Sequence, residues 1–271
     1  MISIIICSKS QTLLNKVSRS IADTIGIEHE VIAIDNSTGE FGICEAYNRG
    51  AAKAKFDYLC FSHEDVIYHT QDWGKNLISH LEKPEVGVVG ICGCLLKPKS
   101  PSGAILFYEG VNRICMLQTG TDGKPFEKFW NPLQEERSEA KILDGVFLAC
   151  RKEVWAANKF DQENFQNFHG YDIDFSLQVS RTHKNFVVYN ILLEHASEGR
   201  NNEAWINSVL KITEKWEDSL PVSTYTIEEK ELRSIEHNSM QYFLREAIKN
   251  KTSLRVLLPY YYQSIKYKPF A

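Results

Sequence analysis

The chain has 271 residues, 43% hydrophobic and 24% charged, enough for one large domain or a domain with an appendage. Its formal net charge is −4 and its pI is near 6.1, which argues against a nucleic-acid-binding protein, since those carry a basic surplus. No window reaches the roughly 18–20 apolar residues of a membrane-spanning helix, and MISIIICSKSQ lacks the basic lead of a signal peptide.

In chain order, ISIIIC (Ile2–Cys7) is a continuous β-branched run, as expected of a strand buried on both faces. Apolar spacing from Leu13 to Ile25 predicts an amphipathic helix. EVIAID (Glu30–Asp35) reads as a second buried strand, ended by the turn cluster NSTG. ICEAYNRGAAKAK (Ile43–Lys55) predicts a helix, DYLCFS (Asp57–Ser62) a third strand, DWGKNLISHLEK another helix and EVGVVGICG another strand. Strands alternating with helices imply βαβ units and a parallel sheet covered on both faces.

From Pro98 to Glu139 the pattern weakens into short β-like pieces. KILDGVFLACRKEVW (Lys141–Trp155) reads as a strand with polar residues at its mouth, and NFVVYNILLEHASEG (Asn185–Gly199) as a strand emptying into a polar loop. Between them, NFHGYDIDFSLQVSRTH sets an acidic cluster ahead of a helix. Beyond Asn202 the pattern is helical. The tail LRVLLPYYYQSIKYKPFA is basic and aromatic. It is expected either to pack over the domain, to be disordered, or to lie on a membrane surface. Among the seven cysteines, Cys7, Cys60, Cys92, Cys115 and Cys150 sit in apolar runs and read as core residues. Cys92 and Cys94 are not spaced as a zinc knuckle, so a reducing cytoplasm is the expected location.

Parallel sheets bind ligands at the carboxyl ends of their strands. Those ends carry Ser8-Lys9-Ser10, Asp35-Asn36-Ser37 and His63-Glu64-Asp65. No GxGxxG follows the first strand and no GxxxxGK[ST] occurs, which disfavours a dinucleotide-binding dehydrogenase and a P-loop ATPase. Three clusters are candidates for chemistry. His63-Glu64-Asp65 is either a solvated loop or a place where one carboxylate holds a divalent cation and the other faces a sugar hydroxyl. In His169-Gly170-Tyr171-Asp172-Ile173-Asp174, capping explains one carboxylate and leaves the other as a candidate general base. Glu194-His195 offers a structural histidine or a further metal ligand.

The stretch Ala46-Tyr47-Asn48-Arg49-Gly50 followed by AAKAKFDYLCFSHED is the most specific pattern in the chain. Together with ISIIICSKS, VIAIDNSTG, LDGVFLACRKEVW and GYDIDFSLQV, it resembles a GT-A glycosyltransferase of the family 2 type over residues 1–200. Its finer features are similar to StrF-like and rhamnosyltransferase-like members. The resemblance implies an α/β fold of the GT-A, Rossmann-like type, with a mainly parallel sheet and helices on both faces. A transferase domain would span residues 1–200 and a C-terminal helical extension residues 201–271. It implies an inverting transfer of a sugar from a nucleotide-diphosphate donor to a hydroxyl of a glycan or lipid-linked acceptor, with Mn2+ or Mg2+ as cofactor.

Carried over residue by residue, Ser8, Asp35 and Arg49 would contact the nucleotide, and Glu64 would lie by the donor ribose or sugar. Asp65 would bind the cation, with His195 as partner. Asp172 would be the base, with Asp174 the alternate, and Asp144 would line the acceptor cleft. Two positions depart from the family pattern: His63 stands where its first metal-motif Asp is expected, and Tyr171 where a Glu precedes the base. The rival readings are a nucleotidyltransferase, disfavoured by the lack of a Gly-rich phosphate loop, and an inactive nucleotide- or glycan-binding module.

Overall fold

The structure is a computed structural model, and it describes residues 1–108, 110–197, 199 and 201–268. The first half alternates β1 (Ile2–Ser8), α1 (Gln11–Thr24), β2 (His29–Asp35), α2 (Ile43–Lys53), β3 (Tyr58–Ser62), β4 (Val66–Tyr68), α3 (Trp73–Leu81) and β5 (Val86–Gly90). Short strands follow: β6 (Cys92–Cys94), β7 (Leu96–Lys97), β8 (Asn112–Thr119), β9 (Pro125–Trp130), β10 (Arg137–Ala140), β11 (Ile142–Leu143) and β12 (Phe147–Arg151). Next come α4 (Lys152–Asn158), α5 (Tyr171–Val179), β13 (Lys184–Val188), β14 (Leu193–His195), α6 (Glu203–Lys215), β15 (Val222–Ser223), α7 (Glu229–Lys249) and α8 (Leu254–Tyr267).

The main sheet has seven strands in the order β10-β13-β5-β12-β3-β1-β2. β2, β1, β3, β5 and β13 share one direction, while β12 and the edge strand β10 run against them. Alternate side chains of β1 explain the layering. Ile5 joins a core with Tyr47 and Ala51 of α2 and Phe175 of α5, while Ile4 and Ile6 join a second core with Val17 and Ile21 of α1 and Trp73 and Leu77 of α3. Helices therefore cover both faces, and this is an α/β sheet of the GT-A kind. The approach of α2 to β1 depends on Gly50, where a Cβ would lie 2.3 Å from Cγ2 of Ile5. Asn48, two residues earlier in α2, uses its whole amide. Its oxygen accepts from Trp155 Nε1 and Phe160 N (both 3.1 Å), and its nitrogen donates to Phe160 O and Gln162 Oε1. The Asn-x-Gly pattern is thus packing chemistry.

A second sheet, β11-β6-β8-β14-β4, with β9 hairpinned onto β8, was not expected. It forms because three segments that read as single strands each divide between the sheets. The first runs from β5 to β6 with Ile91 between them, the second from β11 to β12 through Asp144-Gly145, and the third from β13 to β14. The first run stays apolar through Ile91, so hydrophobic patterning does not mark that change, whereas the polar Asp144 and Asn190 stand at the other two.

Side chains of α6 and of the segment after it join the first core: Ile212, Trp216 and Leu220. A third core, with Trp205, Val209, Met240, Phe243 and Leu257, binds α6, α7 and α8 together. The buried Glu236 of α7 accepts backbone N–H groups of Lys99 and Ser100, both at 2.7 Å, fastening α7 beside β7. All seven cysteines are free and six are buried, Cys7 being half-buried. Among the described residues no helix is long and apolar enough to cross a membrane. Most of the basic aromatic tail forms α8; its last three residues, Pro269–Ala271, lie outside the described residues.

Candidate active site

β1 and β2 pair in parallel with Ser8 opposite Asp35, and β3 joins β1 with Ser62 opposite Ile6. The Ser8-Lys9-Ser10, Asp35 and His63-Glu64-Asp65 segments therefore leave the sheet at one edge. Because β12 runs antiparallel beside β3, with Phe147 opposite Ser62, its entry Asp144-Gly145-Val146 reaches the same edge. The second sheet supplies the remaining piece: β14 pairs with β4 so that His195 stands opposite Val66, directly after His63-Glu64-Asp65.

Asp65, His63 and His195 come together there. Asp65 Oδ1 is 3.5 Å from His195 Nε2 and 3.9 Å from His63 Nδ1, and those two ring nitrogens are 3.5 Å apart. The three ligand atoms all lie within 4.8 Å of one another, close enough for one divalent cation to be shared among them. The side chains are 12–19% exposed, so the group is recessed yet open to a ligand. Burial raises the Asp65 carboxyl, but hydrogen bonding and charge from His195, the Ser197 hydroxyl at 2.6 Å and His63 together hold it well below the usual carboxylate range. Burial, and then the neighbouring His195, pull His63 down to about 4, leaving its ring neutral at pH 7. An ionised carboxylate and a neutral imidazole are the ligand forms of those groups, so the residues fit a divalent cation. His63, which departs from the family pattern, is one of the three candidate ligands.

Glu64 points the other way. Its carboxylate accepts from Ser8 Oγ (2.8 Å), Lys9 N (3.2 Å) and Ser10 N (3.1 Å), pinning the loop between β1 and α1. Ser10 in turn caps α1 by accepting from Leu13 N. Asp35 is exposed at the end of β2. Hydrogen bonds from the backbone and side chain of Ser37 lower its carboxyl from the ordinary value. Arg49 on α2 is engaged by Glu45 at 2.6 Å and lies over the Phe41 ring at 3.8 Å.

The two carboxylates of α5 part company. Asp172 Oδ2 accepts from Gly145 N at 3.0 Å, at the sheet edge. Burial, and then the nearby Asp144, raise its carboxyl to about 7. Asp144 itself accepts from Val146 N at 3.1 Å. Asp174 is 1% exposed and fully engaged by Lys215 Nζ (2.8 Å), Trp216 Nε1 (2.9 Å) and Gln178 Nε2 (2.7 Å). Tyr171 joins the two halves of the site. Its hydroxyl donates to Gly145 O at 2.9 Å and lies 2.9 Å from His63 Nε2. The sequence did not mark Tyr171 or Ser197 as site residues. Only the position of Tyr171 in the acidic motif hinted at the first.

The chain matches the family described as Glycosyltransferase like family over residues 3–221. No curated protein matches its sequence. Among solved structures, it is similar in fold to GalNAc-T7, determined with UDP, GalNAc and Mn2+. That likeness has a TM-score of 0.54 and 14% identity and covers 94% of this chain. It is also similar to residues 1–349 of S. aureus TarS, with a TM-score of 0.53 and 12% identity over 98% of this chain and 79% of that one. The chain spans 57% of the GalNAc-T7 chain and 49% of a longer TarS structure. With most of its length matched and the fold shared, the chain belongs to the glycosyltransferase-like family.

Proposed function

We propose that the protein is an inverting glycosyltransferase that moves a sugar from a nucleotide-diphosphate donor to a hydroxyl of a glycan or lipid-linked acceptor. The observation that carries this reading is the meeting, through Tyr171, of a cation-binding triangle and a carboxyl raised to about 7. His63, Asp65 and His195 would hold the cation, Mn2+ or Mg2+. A divalent cation there supplies Lewis-acid stabilisation to a leaving diphosphate. The Mn2+ and UDP in the GalNAc-T7 structure suit the same use.

Ser8 and Asp35, side by side at the ends of β1 and β2, would border the nucleotide. Glu64 would act by shaping the β1–α1 loop against it, since its carboxylate is engaged with that loop's own N–H groups. Arg49 would reach the nucleotide only by leaving Glu45. Asp144 would line the acceptor cleft beside Asp172.

Asp172 is the base we assign. A carboxyl near 7 is poised to take a proton from an attacking hydroxyl as the bond to the anomeric carbon forms. The sugar–phosphate bond breaks on the opposite face and the nucleoside diphosphate leaves, so one displacement inverts the centre. Asp174, tied to α6, serves the fold in this reading. We place the transferase unit mainly in residues 1–200, with the helices beyond as its extension.

α8 suggests where an acceptor resides. Leu254, Leu258, Tyr261, Tyr262 and Ile265 are 50–73% exposed. At helical spacing they form one stripe, opposite neither Arg255 nor Lys266 but flanked by them. We read this as a contact with an anionic membrane surface, in keeping with a lipid-linked acceptor at a cytoplasmic face.

The test is incubation with UDP-, dTDP- and GDP-sugars, with Mn2+, reading the released diphosphate and the anomeric configuration of the product. Release of one diphosphate with inversion supports the reading, and retention contradicts it. Tight binding with no turnover of any donor favours the inactive binding module.

A further inference from the structure

The two departures from the family pattern, His63 and Tyr171, touch each other. Tyr171 has one hydroxyl proton. Its oxygen is 2.9 Å from Gly145 O, a carbonyl that can only accept, so the proton lies on that line. The hydroxyl lone pairs are what remain for His63 Nε2, 2.9 Å away. That contact then needs a proton on Nε2, which in a neutral ring leaves Nδ1 bare. Nδ1 is the atom facing His195 Nε2 at 3.5 Å and Asp65 Oδ1 at 3.9 Å.

We propose that Tyr171 is a positioning residue that locks His63 in the Nε2–H tautomer and so presents Nδ1 as a ligand to a divalent cation. The proposal rests on the cation reading of the His63–Asp65–His195 group. A histidine ligand commonly has its other ring nitrogen tied in this way, which fixes both tautomer and ring angle. The surroundings hold the tyrosine still: Tyr47 meets its ring edge-on at 5.7 Å, and Phe160 and Phe168 stand 6.1 and 6.3 Å from it. Phe168 also lies 5.3 Å from the His63 ring. Gly145 makes room for the arrangement, since a Cβ there would sit 2.0 Å from the Tyr171 hydroxyl oxygen. The Asp-to-His and Glu-to-Tyr departures thus form one coupled feature, in which a neutral ligand is oriented by a neutral partner.

The experiment uses the full chain. Long-range proton–nitrogen spectra of the metal-free protein, with His63 assigned through His63→Gln, read the tautomer directly. Mn2+ titrations in the presence of UDP read the site. Wild type should show the Nε2–H tautomer. Tyr171→Phe should show a mixture and bind Mn2+ about 10- to 100-fold more weakly. Gly145→Ala, which displaces the hydroxyl while leaving it in the sequence, should behave like Tyr171→Phe. Wild type with the proton on Nδ1, or Tyr171→Phe with unchanged tautomer and Mn2+ affinity, would overturn the role of Tyr171. Wild type that binds no Mn2+ would instead overturn the cation site itself. His195→Ala, which removes a proposed ligand without touching the Tyr171 contact, should weaken Mn2+ binding while leaving the His63 tautomer as in wild type.

Discussion

Asp172 and Asp174 sit two residues apart on the first turn of α5, yet they belong to different regions of the molecule. Asp172 faces the sheet edge, where it accepts from backbone N–H groups, Gly145 N among them, and lies near the Asp144 carboxylate. Asp174 faces the α5–α6 junction, where a lysine, an indole and an amide satisfy it. Both carboxyls are raised by burial. At Asp174 Lys215 opposes the rise, while at Asp172 a second carboxylate adds to it. The contrast teaches that a neighbouring carboxylate adds to the rise that burial starts, whereas a neighbouring cation offsets it.

Exchanging the two roles by mutation is the strongest way to break that contrast. Asp172→Asn should lower kcat by about 10³-fold, within the range expected for losing a general base, with nucleotide binding retained. Asp174→Ala should keep near-normal turnover in the folded fraction. Its urea unfolding should show a loss of about 3 kcal/mol, because it breaks a buried ion pair and strands the Trp216 N–H. The opposite pattern, an active Asp172→Asn and a stable but dead Asp174→Ala, would move the base to Asp174.

pH separates them next. With the Asp172 carboxyl near 7, kcat/KM should fall about tenfold per pH unit below that value as the base is protonated. The stability effect has the reverse sense. A carboxyl raised above its unfolded value stabilises least once ionised, so its contribution is full below about pH 4 and lost as pH rises through about 7. Asp172→Asn should therefore melt above wild type at pH 8, by about 5 °C, and level with it at pH 4. Equal melting curves at pH 8 would count against a raised carboxyl.

The smallest effect concerns α8, remote from both carboxylates. Replacing Leu258 and Tyr261 together by Glu should abolish co-sedimentation with anionic vesicles while leaving turnover of a water-soluble acceptor within about twofold. Retained sedimentation would remove the membrane reading of the stripe.

Much of the fold was legible because buried β-branched runs and amphipathic spacings are local features. ISIIIC, EVIAID and DYLCFS needed no tertiary knowledge, and Ile43–Lys55 read as a helix. The second sheet was not legible: the run through Ile91 stays apolar where the chain changes sheet, Asp144 reads as the polar mouth of one strand, and pairing partners leave no trace in periodicity. At the candidate site, the strand-end rule pointed to Asp35 and Asp65, and the acidic cluster ahead of a helix pointed to Asp172. It could not say that Glu64 turns to the β1–α1 loop, that Asp174 turns to α6, or that Tyr171 bridges His63 and Gly145. Those outcomes depend on contacts across 26 to 108 residues, which spacing within a motif does not encode.

The most direct measurement is calorimetry of UDP, dTDP and GDP binding, each with and without Mn2+, to wild type and to Asp65→Asn. We expect one nucleotide to bind at least tenfold more tightly with Mn2+, and the enhancement to vanish in Asp65→Asn. Binding indifferent to both Mn2+ and the substitution, or no binding of any of the three, would contradict a metal-assisted nucleotide-sugar site at the mouth of these sheets.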